Sequence, residues 1–330
     1  MNFLNKDLLE QWTQPGPRLP DTEAWLLNTV WTTKRFEECG ASPSGYLKSG
    51  EQLVNERETL LAAAADSIFN EIMANQPDAK TVPGFFAEYP DGAVVVFDGC
   101  SIREMPRLLG LAGASKRPVV SFGCGRSAFP SSTEYFIGER LGFGLPVLAP
   151  SQLTSRSELR DRGAAYYYFQ APSEFQTVSN AAGPAILWSR FPDLRFMDST
   201  ASSADMYDGI WDVFDLAWKN TVQALPPDRT ILVTSDHGYV FLGAGLSDQS
   251  LEGKDRGLHG KRCKGFGEDE PLPEMDPYIW VDPVRRIGAI KGRCHNRPQA
   301  PSASRSIYRH GGISLMEVLT PWLVLGPMEE

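Results

Sequence analysis

The chain has 330 residues, 42% of them hydrophobic, enough to bury one large α/β core or two small ones. Its net charge of -9 counts against tight, sequence-independent binding of a long duplex, which needs many Lys or Arg contacts to phosphates. A small phosphoester stays open to it, because a metal ion can supply the local positive charge.

The N-terminal residues Met1 to Asp7 show neither a basic stretch nor an apolar stretch of the secretory kind. No apolar run approaches the about 20 residues that a bilayer span needs. Five scattered cysteines (Cys39, Cys100, Cys124, Cys263, Cys294) suit free thiols in a reducing compartment, so the cytoplasm is the expected location, without a membrane anchor. Residues 1–90 read as a mostly helical region or cap, with a polar break at Ala41 to Gly45 and a long helix-like run from Glu51 to Ala74.

From residue 91 to 330 the texture is that of an α/β core, a doubly wound and mostly parallel sheet flanked by helices. The predicted strands are Ala93–Phe97, Pro118–Phe122, Ala185–Trp188 and Thr230–Thr234, each near-continuously apolar, as buried parallel strands are. Helices are predicted over Ile102–Leu111, Glu134–Leu141 and Ala204–Ala224, the last with apolar residues at helical spacing. Leu242 to Pro277, rich in Gly, Pro and charge, reads as a long loop insertion, and Arg309 to Leu315 as a histidine and a glycine pair leading into an amphipathic helix.

In doubly wound sheets ligands bind beyond the carboxyl ends of the strands, so acids and histidines at those exits carry the chemistry. Strand Ala93–Phe97 ends in Asp98-Gly99, and strand Thr230–Thr234 in Ser235-Asp236-His237-Gly238. An Asp-Gly pair alone is an ordinary turn. An adjacent Asp and His at a buried strand end is costly unless both are paired or bound to metal. Mixed carboxylate and imidazole donors suit zinc and harder divalent ions.

Val94-Val95-Val96-Phe97-Asp98-Gly99, Phe129-Pro130-Ser131-Ser132-Thr133, Ile231 to Tyr239 and His310-Gly311-Gly312-Ile313-Ser314 together resemble the motif series of the alkaline phosphatase superfamily, and of the bacterial PglZ family in particular. The resemblance spans about Ala93 to Leu325 and implies an alkaline phosphatase-like core. It implies a metal site of Asp98, Asp236 and His237, and a second that contains His310. A divalent cation follows, zinc first and manganese or magnesium as alternatives, one or two ions in number. Thr133 matches the nucleophile position; Ser131 and Ser132 are alternatives, and simple N-capping of the following helix is the rival use of all three hydroxyls.

The chain departs from that pattern in its histidines. There are four (His237, His259, His295, His310), and none lies between Thr133 and Asp236, where the family has an Asp-x-x-x-His. Asp193 or Asp198 would supply the carboxylate, with His259 a possible source of the imidazole. Arg126 and Arg103 stand near these motifs as holders of phosphate oxygens.

The expected function is a metal-dependent phosphohydrolase, a phosphodiesterase acting on a nucleotide or nucleic-acid-type diester through Thr133. The PglZ resemblance implies antiphage defence beside partner proteins. The alternative is a weakly active or inactive PglZ-like scaffold that binds partner proteins or a nucleotide. A zinc site from His259, Cys263, Cys294 and His295 matches no finger spacing. Walker and Gly-x-Ser-x-Gly motifs are missing, and no cysteine begins a Cys-x5-Arg phosphate loop.

Overall fold

The computed structural model describes residues 18–64, 70–72, 80–178, 182–197, 203–242, 249–250, 258, 261–274, 278–295 and 308–328. Its helices are α1 (Leu19–Trp25), α2 (Thr33–Glu38), α3 (Pro43–Ala64), α4 (Val82–Glu88), α5 (Met105–Ala114), α6 (Thr133–Glu139), α7 (Ser157–Arg160), α8 (Asp193–Met197), α9 (Ser203–Asn220) and α10 (Leu315–Val318). The main-sheet strands are β1 (Ala93–Phe97), β2 (Val119–Arg126), β3 (Ala165–Phe169), β4 (Ala185–Ser189) and β5 (Ile231–Thr234). Short strands β6 (Val240–Phe241), β7 (Gln249–Ser250), β8 (Cys263–Gly265), β9 (Ile279–Asp282), β10 (Ile287–Ile290), β11 (Cys294–His295) and β12 (Tyr308–Arg309) follow, and β13 (Leu319–Leu325) returns to the main sheet.

The fold is α/β, built on a six-stranded sheet in the order β2-β13-β5-β1-β4-β3. Strands β5, β1, β4 and β3 are mutually parallel, and β13 runs antiparallel to both of its neighbours. Side chains of β1 alternate between the faces, as the strand period requires. Val95 and Phe97 enter one apolar cluster, Val94 and Val96 the other. Helices cover both faces, so β1, β4 and β5 are buried along their whole length.

The N-terminal helices share the first of these clusters. Leu26, Val30, Trp31, Tyr46, Leu47 and Val54 are buried with Val95, Phe97 and Val233. Helix α3 lies on α9, where Asp208 Oδ1 accepts from the Ser44 amide at 2.8 Å, and Phe36 of α2 stacks on Trp211 of α9 at 4.9 Å. Such aromatic contacts add about 1 kcal/mol each to the apolar burial.

Several predicted boundaries move. The predicted strand Pro118–Phe122 is β2, eight residues long and an edge strand paired only with antiparallel β13. The predicted amphipathic helix after Gly312 is a correction: α10 has four residues, and the chain then enters β13. Strands β3 and β13 were not among the predicted ones. Helix α3 begins at Pro43, inside the predicted break, and the run toward Ala74 lies partly outside the described residues. Within the predicted insertion, β8 joins β10 and β9 in a three-stranded antiparallel sheet. Among the described residues no helix is long and apolar enough to cross a membrane.

Candidate metal centre

The register of the sheet brings the acids together. Val96 of β1 pairs with Thr234 of β5, and Phe97 with Ser189 of β4, so three chains leave the sheet at one edge. Asp98 follows β1, Asp236 and His237 follow β5, and Asp193 opens α8 after β4. The Asp98 amide donates to Ser189 O at 2.9 Å, and the Asp193 amide donates to Asp98 O at 2.8 Å, fixing the two acids side by side. Gly99 turns there with φ +72°, and a Cβ on it would meet Tyr308 Oη at 2.7 Å and Asp193 Cβ at 2.9 Å. Only glycine combines that backbone with that close approach.

Two groups of donors result. Asp98, Asp236 and His237 present ligand atoms within 4.8 Å of one another, and so do Asp193, His237 and His310. His237 Nε2 lies 3.7 Å from Asp98 Oδ1 and 3.5 Å from Asp236 Oδ2. The His237 and His310 rings stack at 4.0 Å with a 6° interplanar angle.

Backbone carbonyls settle the tautomers. His237 Nδ1 faces Gly238 O at 2.9 Å, and His310 Nδ1 faces Ser131 O at 3.2 Å. A carbonyl oxygen only accepts, so each Nδ1 carries a proton and Nε2 is left as the ring nitrogen that can bind a cation. A second partner that fixes the ring in this way is what metal-ligating histidines have.

The carboxylates are held from behind. Trp188 Nε1 donates to Asp98 Oδ2 at 3.2 Å, and the Gly99 amide to Asp236 Oδ1 at 3.0 Å. The phenol of Tyr308 donates to Asp193 Oδ1. Burial first, and then the nearby Asp236 and Asp193 charges, push the Asp98 carboxyl well above its ordinary range. Burial and the neighbouring His237 push His310 down.

Three buried acids this close repel one another as carboxylates unless protons or a cation lie among them. This donor set fits a divalent cation, for which Asp98, Asp236 and His237 would be the ligands, with Asp193 and His310 adjoining.

Thr133 is the first residue of α6, and its hydroxyl points into the cluster. Its Oγ1 donates to Asp236 Oδ2 at 2.5 Å and lies 3.5 Å from Asp98 Oδ1 and 3.4 Å from His237 Nε2. The capping use of these hydroxyls does not occur: Ser132 makes no side-chain cap. Ser131 instead clasps the His310 turn, donating to Gly312 O at 2.9 Å and accepting from the Gly311 amide at 3.0 Å.

Other predicted residues stand elsewhere. The fully buried Arg103 gives its Nε to Glu51 at 2.6 Å and its Nη1 to Tyr239 O at 2.8 Å, so it is built into the core. Arg126, at the end of β2, pairs with Glu23 at 3.4 Å and lines a cavity of 150 Å³ with Lys80, Arg140 and Thr234. Neither arginine belongs to the two donor groups. Asp198 and His259 lie outside the described residues, as does the His295 side chain. Met197, one turn after Asp193, is 56% exposed and occupies the place where a fourth-position histidine would stand. Cys263 and Cys294 form no disulfide and join no donor group among the described residues. Sequence reasoning missed Trp188, Tyr308 and the clasp by Ser131, since only the folded register brings them to the acids.

No family model matches the chain, and no curated protein matches it. Among solved structures, phosphonoacetate hydrolase from Sinorhizobium meliloti, in complex with phosphonoacetate, is 12% identical; the alignment covers 72% of this chain and 90% of that one, with a TM-score of 0.40. The murine ectonucleotide pyrophosphatase/phosphodiesterase 5 in complex with AMP is 15% identical over 72% of this chain and 88% of that one, with a TM-score of 0.44. The human protein of the same name is 11% identical over the same shares, with a TM-score of 0.43. Likenesses of this size assign no chemistry, which rests on the geometry of the cluster itself.

Proposed function

We propose that the chain is a metal-dependent phosphohydrolase of the alkaline phosphatase type, a phosphodiesterase that uses Thr133 as its nucleophile. The observation that carries this reading is the placement of one hydroxyl, Thr133 Oγ1, within 3.5 Å of Asp98, Asp236 and His237 together. A lone threonine hydroxyl is a poor nucleophile and needs such a setting. A divalent ion, zinc first, held by Asp98, Asp236 and His237, would lower the hydroxyl pKa and balance charge on the phosphoryl oxygens.

The residues of the chain do the rest. Thr133 Oγ1 attacks phosphorus in line as its proton passes to solvent, the bond from phosphorus to the leaving oxygen breaks, and that oxygen departs with a proton taken from water. Water then attacks the threonine phosphoester, and the hydroxyl is restored. Trp188 and the Gly99 amide keep the carboxylates aimed throughout. Arg126, which ends β2 and pairs with Glu23 at 3.4 Å, would be the cation that steers an anionic substrate.

The motif order that resembles the PglZ family supports a nucleotide or nucleic-acid diester as substrate and a role in antiphage defence with partner proteins. One feature supports the rival reading of a binding scaffold: both donor groups share His237, and Met197 stands where another imidazole would complete the second.

The test is elemental analysis of the purified protein with hydrolysis of bis-p-nitrophenyl phosphate and its monoester, with added zinc or manganese and with chelator. Bound ion with chelator-sensitive diester cleavage, both lost in Asp236→Ala, is the expected result. Bound ion without turnover selects the scaffold. A protein that takes up no ion refutes both.

A further inference from the structure

Two buried carboxylates of α3 are unused by this chemistry, although they reach the two chain segments that carry the imidazoles. Glu51 and Glu58 are 2% and 3% exposed and lie seven residues, two helical turns, apart, on one face. Buried acids with no structural or functional partner are rare, and these two have specific ones.

Glu51 Oε1 accepts from Arg103 Nε at 2.6 Å, and its Oε2 from Arg293 Nη1. Arg103 in turn donates to the carbonyl of Tyr239 at 2.8 Å, and its guanidinium lies 4.4 Å over the Tyr239 ring. Arg293 donates to the carbonyl of Phe241. Tyr239 and Phe241 directly continue the segment that carries Asp236 and His237. The Tyr239 phenol is fixed as well, donating to Glu104 Oε1 at 2.6 Å.

Glu58 takes the other arm. Its Oε1 accepts from the Leu315 amide, at the start of α10 and five residues after His310. That turn is held from its far side by Glu317, which accepts from the Gly312 amide at 3.0 Å and is bound by Arg262 through two contacts of 2.6 Å. The two arms also meet, since the Tyr239 amide donates to Met316 O at 2.8 Å.

We propose that α3 is a clamp for the ion site: Glu51, acting through Arg103, sets the Asp236-His237 arm and Glu58 sets the His310 arm, without either acid touching the ion. The N-terminal helical layer is then a set of positioning residues for the site. This rests on the metal-centre reading above.

Cobalt(II) affinity by chelator competition, and the visible spectrum of the cobalt protein, test the clamp on the full chain. Outer partners of metal ligands change affinity by about 10- to 100-fold, and that loss, with an altered cobalt spectrum, is expected for Glu51→Gln and for Glu58→Leu. Glu58→Gln keeps an acceptor for the Leu315 amide and should bind as the parent does. Leu159→Ala, in the apolar cluster on the opposite face of the sheet, should melt earlier yet bind cobalt unchanged.

Unchanged affinity and spectrum in Glu51→Gln and Glu58→Leu overturn the clamp while leaving the ion site intact. Equal loss in Leu159→Ala also overturns it, by showing that general destabilisation is the cause. A parent protein that takes up no cobalt overturns the ion site, and the clamp with it.

Discussion

Replacing Glu58 by glutamine should make the ion-free protein more stable, and only above acidic pH. Burial is the main cause that holds the Glu58 carboxyl up at about 7, with the Glu51 and Glu317 charges adding to it. In the unfolded chain the same group ionises near 4.5. Well below that value both states are protonated and the residue is neutral in the balance. As pH rises, the unfolded chain releases its proton first and is favoured, so stability falls until pH passes about 7, after which the cost is constant. A rise from 4.5 to about 7 corresponds to about 3 kcal/mol. Glutamine cannot ionise and still offers an oxygen to the Leu315 amide. Urea melts with chelator present should therefore show parent and Glu58→Gln together near about pH 4, and the variant ahead by up to about 3 kcal/mol near about pH 8.5. A difference of the same size at both pH values would refute the argument, since it would have nothing to do with ionisation.

Thr133→Ala should keep the ion, measured by elemental analysis, and abolish diester turnover, whereas Thr133→Ser should retain part of it. Arg262→Met strands the buried Glu317 carboxylate and should cost about 3 to 5 kcal/mol in urea melts. Ion at 100 times its dissociation constant should raise stability by about 2.7 kcal/mol over the chelated protein. In Asp236→Ala that gain should shrink or vanish, as seen by thermal melting with and without zinc.

The site was legible where chemistry and strand pattern coincide. Val94 to Asp98 and Ile231 to His237 are short apolar runs ending in acid, and a buried parallel strand reads in no other way. The register that joins Asp98 to Asp193 was not legible, because it depends on how β4 aligns with β1. Strand β13 was hidden for two local reasons. Leu315 to Leu319 carries helical spacing, and Pro321 sits inside a strand flanked on both sides, where a residue without an amide proton is unexpected. Strand β3 was hidden because its three consecutive tyrosines are half-buried at the sheet edge and show no alternation. Arg103 looked available next to Asp98, yet its partner Glu51 is 52 residues away in the chain.

The reversed strand also sets an order of assembly. Strand β2 reaches the rest of the sheet only through β13, which follows every other strand of that sheet in the chain. Until β13 pairs with it, β2 has no neighbour in the sheet and presents an open edge. His310 and Glu317 stand just ahead of β13, and the Gly238 and Tyr239 amides bond to Glu317 O and Met316 O at 2.8 Å, so this one stretch of chain both closes the sheet and fastens the Asp236-His237 arm. A chain cut short before residue 308 would lose His310, Glu317 and β13 together, so the closing strand of the sheet and one arm of the candidate ion site stand or fall as a unit.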